Sequence, residues 1–152
     1  MRNYSIIIPV YNRPDELGEL LECLAQQTFK NFEVVVVEDG SKIKCKDVVD
    51  SFKSHLKIAY YYKENGGQGF ARNYGFERAK GDYFILLDSD ALLEPNYLAI
   101  VDNRLNTDYV DLYGGPDTDH PSFTPIQKAI SYSMTSVFTT GGIRGKKSNL
   151  GG

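Results

Sequence analysis

Two carboxylates stand two residues apart, as Asp88 and Asp90, directly after the short apolar run at residues 84–87. On an extended backbone, residues i and i+2 point to the same side, with Cα atoms about 6.5 Å apart. Carboxylates placed in this way repel each other, and a hard divalent cation removes that cost. We therefore expect Asp88 and Asp90 to hold Mg²⁺ or Mn²⁺, with water and phosphate oxygens completing the shell. The alternative is a simple strand-end turn, because Asp and Ser favour turns.

Asp39 is the second candidate, at the end of another apolar run. An ionised carboxylate accepts hydrogen bonds and cannot donate them, so Asp39 suits the ring N–H of uracil or guanine. Adenine presents no equivalent ring donor. Tyr11, at the end of the neighbouring predicted strand, has a ring that can stack on the base. The alternative for Asp39 is an Asx turn within Asp39-Gly40-Ser41.

The third candidate is the glycine-rich stretch NGGQGFAR at residues 65–72. It nearly matches a dinucleotide fingerprint, but Arg72 replaces the third glycine and the stretch follows the third predicted strand. We reject a Rossmann site for these reasons, and no P-loop motif is present. A helix N-terminus with small residues suits an anion, and the Arg72 guanidinium can clamp a phosphate with two hydrogen bonds. The alternative is an ordinary surface arginine.

Two weaker groups lie nearer the C-terminus. Asp117, Asp119 and His120 cluster in a polar stretch, which we interpret as a solvated loop rather than a metal site or base. The Lys- and Arg-containing end of the chain, residues 139–152, has no packing period. We expect a disordered basic tail there rather than a phosphate-binding or membrane-binding segment.

The elements that position these residues follow from the hydrophobic pattern. Strand-length apolar runs alternate with helical patterns, which predicts an α/β fold with a mostly parallel sheet and helices on both faces. In such a sheet, ligands bind beyond the carboxyl ends of the strands, where the candidates above all fall. The predicted strands are 5–10, 32–37, 58–62, 83–87 and 109–113; the predicted helices are one from Pro14 bearing Leu17, Leu20, Leu21 and Leu24, then 47–52, 70–79, 95–105 and 126–138.

Composition limits the class of protein. The 152 residues carry a formal net charge of -3, which argues against a nucleic-acid binder. No apolar run approaches the roughly 20 residues that span a bilayer. Two cysteines outside any C-x-x-C pair indicate a reducing, cytoplasmic location.

Five stretches together resemble the family 2 glycosyltransferases of GT-A fold. They are SIIIPVYN at 5–12, QTF at 27–29, VEDGS at 37–41, NGGQGFARN at 65–73 and LDSD at 87–90. Each stretch alone is weak, but their order and spacing match the family over roughly residues 4 to 100. Glu38 departs mildly from the pattern, because the family commonly has Asp at that position.

The resemblance implies a site for a nucleoside diphosphate sugar, with a UDP-sugar favoured, although Asp39 suits both uracil and guanine. Tyr11 and Asp39 would hold the base, Pro9 would also contact the nucleotide, and Arg72 would lie near the base or the diphosphate. Asp88 would lie near the ribose and the metal, and Asp90 would bind the metal. Such enzymes usually transfer the sugar with inversion, using an Asp or Glu to deprotonate the acceptor hydroxyl.

That base comes from a later segment in the family, and nothing after Asp119 fits it. We therefore expect a donor half: residues 1–115 as the nucleotide-sugar-binding domain and 116–152 as the start of an acceptor-side region. The chain ends at Leu150-Gly151-Gly152 without a visible terminal element, which we interpret as a truncation. The resemblance further implies an unknown carbohydrate or lipid-linked acceptor, a role in cell-surface polysaccharide synthesis, and peripheral association with the inner face of the membrane.

Three other functions compete with this one. A phosphohydrolase of the haloacid dehalogenase type also uses D-x-D at a strand end, with the first Asp as nucleophile. That family places the motif after the first strand, whereas Asp88 follows the fourth. A nucleotidyltransferase would carry a glycine-rich basic loop where Tyr11-Asn12-Arg13-Pro14 stands. A non-catalytic nucleotide-binding domain is the third alternative, because the expected base is missing.

Overall fold

The computed structural model describes residues 2–112 of the chain. Within that range, strands and helices alternate without exception, as the sequence pattern predicted. The elements are β1 (Tyr4–Val10), α1 (Pro14–Ala25), β2 (Phe32–Asp39), α2 (Lys46–Ser51), β3 (Ile58–Lys63), α3 (Gln68–Phe76), β4 (Tyr83–Leu86) and α4 (Tyr97–Thr107).

The strands form one sheet in the order β3-β2-β1-β4. Every strand pairing within residues 2–112 is parallel, so the carboxyl ends of the strands meet at one edge. In the register of β2 with β3, the last residues of the two strands, Asp39 and Lys63, are partners. The predicted mostly parallel sheet is therefore confirmed.

The two central strands are buried on both faces, which explains their continuous β-branched sequences. Because successive side chains of a strand alternate, β1 supplies both sides of the sheet. Ile6 and Ile8 join the larger core with the apolar residues of α1 and α4, whereas Ile7 joins a smaller core on the opposite face. Helices therefore cover both faces of the sheet, as predicted.

Helix α1 follows its sequence signals closely. Pro14 occupies its first turn, and Asp15 and Glu16 place negative charge at the positive end of the helix dipole. Its four leucines at the predicted i, i+3, i+4, i+7 spacing are all fully buried. These are Leu17, Leu20, Leu21 and Leu24.

Helix α3 lies against the other face through small residues. Ala71 is fully buried there beside Ile7. At Gly75, a Cβ atom would come within 2.5 Å of Ile7 Cγ2 and 3.3 Å of Val37 Cγ2. The glycine is therefore needed for the close approach of α3 to the sheet, which brings the start of α3 toward the strand ends.

The predicted fifth strand at 109–113 is wrong in its described part, because residues 109–112 adopt no strand. Apolar composition alone does not provide the pairing partner that a strand needs. The chain divides into the compact units Met1–Tyr109 and Val110–Gly152. The predicted helix at 126–138, the group around Asp117, Asp119 and His120, the basic tail and the 116–152 region lie outside the described residues. The boundary at residue 115 stays a prediction.

None of the helices within residues 2–112 is long and apolar enough to cross a membrane. Cys23 and Cys45 are both free thiols. Burial, reinforced by the nearby Glu38 carboxylate, raises the pKa of Cys45 to about 11, so this thiol is not a nucleophile at neutral pH.

Candidate functional site

A cleft of about 350 Å³ opens where the strands end. It runs from the carboxyl ends of β1 and β2 to the segment after β4, across the start of α3. Parallel pairing places these ends at one edge, which is why residues distant in sequence share the cleft. The lining residues are Pro9, Val10, Tyr11, Arg13, Asp39, Gln68, Asp88, Ser89 and Asp90.

The turn after β1 is fixed by Asn12, which adopts a left-handed conformation with φ of 55°. Asn is one of the few residues that tolerate this region. Its side-chain oxygen accepts the backbone N–H of Lys42 at 2.7 Å and of Ile43 at 3.1 Å. Asn12 therefore ties the β1 turn to the loop after β2, and it holds Tyr11, about half exposed, at the cleft.

Asp39 is buried at the other strand end and is tightly held. Its Oδ1 accepts from Lys63 Nζ at 2.6 Å and from the Gly66 N–H at 2.9 Å, and its Oδ2 accepts from the Gly67 N–H at 2.8 Å. Burial alone would raise the pKa of Asp39, but the hydrogen bonds from Lys63, Gly66 and Gly67 outweigh it and lower the pKa. Asp39 is therefore ionised at neutral pH and organises the glycine-rich loop.

Gly40 and Asn65 complete this arrangement. Asn65 Nδ2 donates to the backbone carbonyl of Asp39 at 2.9 Å. Gly40 has φ of 73°, and a Cβ atom there would come within 2.5 Å of the Asn65 backbone nitrogen. Only glycine tolerates both the positive φ and the close approach of the Asn65 backbone. The glycine-rich loop therefore requires a glycine directly after Asp39. We call Asp39, Gly40, Lys63 and residues 65–67 the Asp39 anchor.

The Asp88-Ser89-Asp90 segment forms a turn, and the extended backbone predicted for it is wrong. Strand β4 ends at Leu86, and the Ala91 N–H donates to the Asp88 carbonyl at 3.0 Å, which closes a turn. The backbone is therefore not extended here, since Asp and Ser favour turns once strand pairing stops. Both carboxylates nevertheless line the cleft, so the turn brings them to the same site by a different geometry.

Each of these carboxylates is paired with a guanidinium group. Asp88 Oδ1 accepts from Arg72 Nη2 at 2.8 Å and from Gln68 Nε2 at 2.7 Å. Asp90 Oδ2 accepts from Arg13 Nη1 at 2.7 Å. The side chains of Asp88 and Asp90 are 56% and 55% exposed, so water can reach both carboxylates. We call Asp88, Asp90, Arg13, Arg72 and Gln68 the acidic rim.

The acidic rim offers a partial ligand set for a cation. Within residues 2–112, no three His, Cys, Asp or Glu side chains are grouped closely enough to hold a metal ion by themselves. Mg²⁺ and Mn²⁺ typically use one or two carboxylates and leave other positions to water and phosphate. Asp88 and Asp90 fit a cation of that kind, which would bind together with a phosphate-bearing ligand.

The cleft brings together five of the six predicted nucleotide or metal residues as lining groups: Pro9, Tyr11, Asp39, Asp88 and Asp90. Arg72, the sixth, does not line it and reaches it through its ion pair with Asp88. The Arg72 Nε atom is buried and has no hydrogen-bond partner among the described residues.

Three polar residues of the site carried no role in the sequence analysis. Arg13 and Gln68 line the cleft, and Lys63 pairs with Asp39. The sequence contained a signal for two of them, because Arg13 closely follows β1 and Lys63 is the last residue of β3. Residues that follow parallel strands gather at one edge of the sheet, and that rule places Arg13 and Lys63 near this edge without naming their partners.

Gln27, in the QTF stretch, fixes the far end of the segment that carries Asp88 and Asp90. Its Nε2 donates to the Glu94 carbonyl at 2.8 Å, and its Oε1 accepts the Leu98 N–H at 3.0 Å. The same Nε2 also donates to the Cys23 carbonyl at 3.2 Å, and a fully buried amide that satisfies three backbone groups is a strong positional constraint. The stretch therefore ties helix α1 to residues 94–98, which follow the Asp88-Ser89-Asp90 turn.

The sequence profile described as Glycosyl transferase family 2 matches residues 5–151. An uncharacterized glycosyltransferase of Rickettsia typhi is 47% identical over 102 residues, which cover 67% of this chain and 31% of that protein. The chain belongs to the family 2 glycosyltransferases, as its motifs predicted.

Two solved structures share the fold. Staphylococcus aureus TarS 1–349, in complex with UDP-GlcNAc, aligns with a TM-score of 0.68 and 29% identity over 76% of this chain and 37% of that one. The Pyrobaculum calidifontis mannosyltransferase PcManGT, in complex with GDP-Man and Mn²⁺, aligns with a TM-score of 0.64 and 25% identity over 68% and 32%. The predicted GT-A architecture is confirmed.

The chain spans about a third of the length of these relatives. The family assignment decides against the phosphohydrolase alternative, in which Asp88 would be a nucleophile. The position of the D-x-D motif agrees with this assignment. The motif follows β4, an edge strand of the described sheet, whereas the phosphohydrolases carry it after their first strand.

Proposed function

We propose that this chain forms the nucleotide-sugar site of a metal-dependent, inverting glycosyltransferase, with a UDP-sugar as the favoured substrate. One observation carries the proposal: Asp39 of the anchor and the carboxylates Asp88 and Asp90 of the acidic rim line a single cleft, after strands β2 and β4, which flank β1 on either side. A hydrogen-bond acceptor after one strand and a carboxylate pair after another suit a ligand that carries a base at one end and a diphosphate at the other.

Asp39 and Tyr11 form the base end. Asp39 Oδ2 receives one hydrogen bond from the described residues, that of Gly67, and so keeps capacity to accept a ring N–H. The lowered pKa keeps this acceptor ionised. Tyr11 is exposed enough to stack on a base beside it. Uracil and guanine both satisfy Asp39, and the relatives bound to UDP-GlcNAc and GDP-Man support both.

Asp88 and Asp90 form the diphosphate end, Pro9 lies on β1 between strands β2 and β4, and Arg72 pairs with Asp88. Asp90 would be the main metal ligand, and Asp88 would contact both the ribose and the metal. A bound Mg²⁺ or Mn²⁺ supplies positive charge that stabilises the leaving diphosphate. Arg72 would add a guanidinium to the same oxygens, and such charge-assisted hydrogen bonds are among the stronger ones.

Inversion requires a base that deprotonates the acceptor hydroxyl. The carboxylates that line the cleft within residues 2–112 are Asp39, Asp88 and Asp90, and all three have roles toward the nucleotide sugar. We therefore place the base outside the described residues. We further propose a carbohydrate or lipid-linked acceptor, a cytoplasmic site of action at the inner face of the membrane, and a role in cell-surface polysaccharide synthesis.

Calorimetric titration of the chain with UDP and with GDP, each with and without Mn²⁺, tests the proposal. We expect Mn²⁺-dependent binding of at least one nucleotide, and we expect Asp90→Ala to abolish the Mn²⁺ dependence. Asp108→Ala is the matched control, because Asp108 is also about half exposed and paired with an arginine, but lies outside the cleft. Equal binding by Asp90→Ala and the unaltered chain would contradict the metal assignment.

A transfer assay with radiolabelled UDP-sugar tests the position of the base. We expect weak binding and little or no transfer by this chain alone. Robust transfer would show that the base lies within the chain, and binding without transfer fits both a donor half and a non-catalytic nucleotide-binding domain. Recovery of transfer by a longer protein carrying the same residues distinguishes the two.

A further inference from the structure

Arg13 lies on the lining of the cleft, with its guanidinium on Asp90, the carboxylate that we assign to the metal. Its backbone is constrained on both sides, because Asn12 is left-handed and Pro14 favours an extended residue before it. Arg13 has φ of -134° and ψ of 61°, which lies outside the helical region that the following proline disfavours. The side chain therefore starts from a fixed point at the end of β1, while its half-exposed head is free to change partner.

The formal charges around the cleft balance. Among the described residues, three carboxylates line the cleft and each is paired with one cationic side chain. A divalent cation alone would add two positive charges and displace guanidinium groups from their carboxylates. The diphosphate of a nucleotide sugar carries two negative charges, so a divalent cation bound together with it adds no net charge and gives the displaced groups new anionic partners. The pairs are Asp39 with Lys63, Asp88 with Arg72, and Asp90 with Arg13.

We propose that Arg13 occupies Asp90 until the cation and the nucleotide sugar bind together, and then contacts the diphosphate. Arg13 therefore weakens the binding of the cation alone and strengthens the binding of the cation with the nucleotide. It acts as a coupling residue that makes the two ligands cooperative. This inference rests on the proposed function, since it takes the ligand of the cleft to be a diphosphate held with a cation.

The coupling follows from competition for one carboxylate. An exposed ion pair contributes up to about 1 kcal/mol, which corresponds to about a fivefold change in a binding constant. Loss of Arg13 removes the competitor at Asp90 and also removes a positive charge beside the incoming cation. The same loss deletes a charge-assisted hydrogen bond to the diphosphate. Because linkage is reciprocal, both effects lower the factor by which Mn²⁺ and the nucleotide promote each other's binding.

The test compares Arg13→Gln with the unaltered chain in two titrations. Free Mn²⁺ is measured by electron paramagnetic resonance without nucleotide, and UDP is titrated by calorimetry at saturating Mn²⁺. We expect Arg13→Gln to bind Mn²⁺ alone about two- to fivefold more tightly and UDP about fivefold more weakly. Arg13→Lys retains the positive charge, and its affinities for Mn²⁺ and for UDP are expected to lie between those of the unaltered chain and of Arg13→Gln. A thermal melt checks that each variant is folded.

Arg104→Gln is the control, because Arg104 pairs with Asp108 at 2.8 Å and both are about half exposed, outside the cleft. It should change neither titration. Opposite shifts in Arg13→Gln support the proposal, since a merely structural role would move both constants in the same direction. Unchanged constants, or shifts of the same sign, would overturn it. Absence of UDP binding in the unaltered chain would instead overturn the proposed function, and the Mn²⁺ titration would still test the competition at Asp90.

Discussion

The two ends of the cleft are built on different principles. The Asp39 anchor is buried: the Asp39 side chain is 5% exposed and that of Lys63 17%, and two backbone N–H groups hold the carboxylate as well. The acidic rim is open, with carboxylates more than half exposed and contacts made by long side chains. One end is therefore fixed by the backbone, and the other is held by groups that can move.

A cleft built in this way can bind two different groups of one ligand, a planar base and a diphosphate with its cation. A planar base is recognised by one acceptor at a fixed position, which burial and backbone hydrogen bonds provide. A cation with a diphosphate carries its own charges, so carboxylates that already have guanidinium partners need only exchange them. Substitutions at the rigid end should therefore cost much stability, and substitutions at the exchanging end should cost little.

The largest effect on stability is expected from Asp39→Asn. The amide cannot carry the charge, so the Lys63 ammonium stays largely buried without its partner, and the Gly66 and Gly67 N–H groups lose a charged acceptor. We expect a loss of about 2–4 kcal/mol in the free energy of unfolding, measured by urea denaturation. Asp50→Asn is the control, because Asp50 also pairs with lysines but at the surface, and it should change the free energy of unfolding far less.

The effect of Asp39 depends on pH with a defined sign. Its folded pKa lies below the unfolded value of about 3.9. The stabilisation by the ionised carboxylate is complete above the unfolded pKa and is lost as the pH falls through the folded pKa. The difference between the unaltered chain and Asp39→Asn should therefore be constant from about pH 5 to 8 and shrink below about pH 4. A difference that grows on acidification would contradict the ionised anchor.

A somewhat smaller loss is expected from Gly40→Ala. The substitution forces a left-handed alanine, and its Cβ meets the Asn65 backbone at 2.5 Å. Strain and displacement of the loop should together cost about 2–3 kcal/mol and weaken nucleotide binding at the base end. Gly69→Ala is the control, since a Cβ at Gly69 has open space and lies in helix α3. If both variants unfold at the same urea concentration, the close contact with Asn65 is not required.

The sequence predicts which elements form and where the site lies better than it predicts where each element ends. The sheet, the faces of α1 and the sharing of one cleft by Tyr11, Asp39, Asp88 and Asp90 follow from periodicity and the strand-end rule. Lengths of elements depend on contacts that no local pattern records. β2 runs on to Asp39 because its last residues pair with β3, whereas residues 109–112 have apolar character but form no strand.

The partners of the charged residues were harder to predict. The sequence predicts Asp39 as an acceptor for a base or as part of an Asx turn, but Lys63 and the glycine-rich loop reach its carboxylate through the register of β2 with β3. The turn at Asp88 replaced an extended geometry because β4 stops two residues earlier. Arg13 was visible as a cation near the end of β1, but its contact with Asp90 links two segments 77 residues apart. Such contacts depend on tertiary placement.

The smallest effect on stability is expected at the rim, from Asp90→Asn. Its ion pair with Arg13 is about half exposed on both sides, and an exposed pair gains little over hydration in water. We expect a change within about 0.5 kcal/mol in the free energy of unfolding, and expect 0.5 M NaCl to remove even that, because salt screens exposed charges.

The same substitution should nevertheless abolish Mn²⁺-dependent nucleotide binding, whereas Asp39→Asn lowers stability and binding together. Urea denaturation and calorimetry on the two variants thus separate the ends of the cleft. If Asp90→Asn cost as much stability as Asp39→Asn, the Arg13 pair would be a structural contact too strong to exchange. A stable pair of that kind would leave Arg13 on Asp90 when the cation arrives, and the rim would then be as rigid as the anchor.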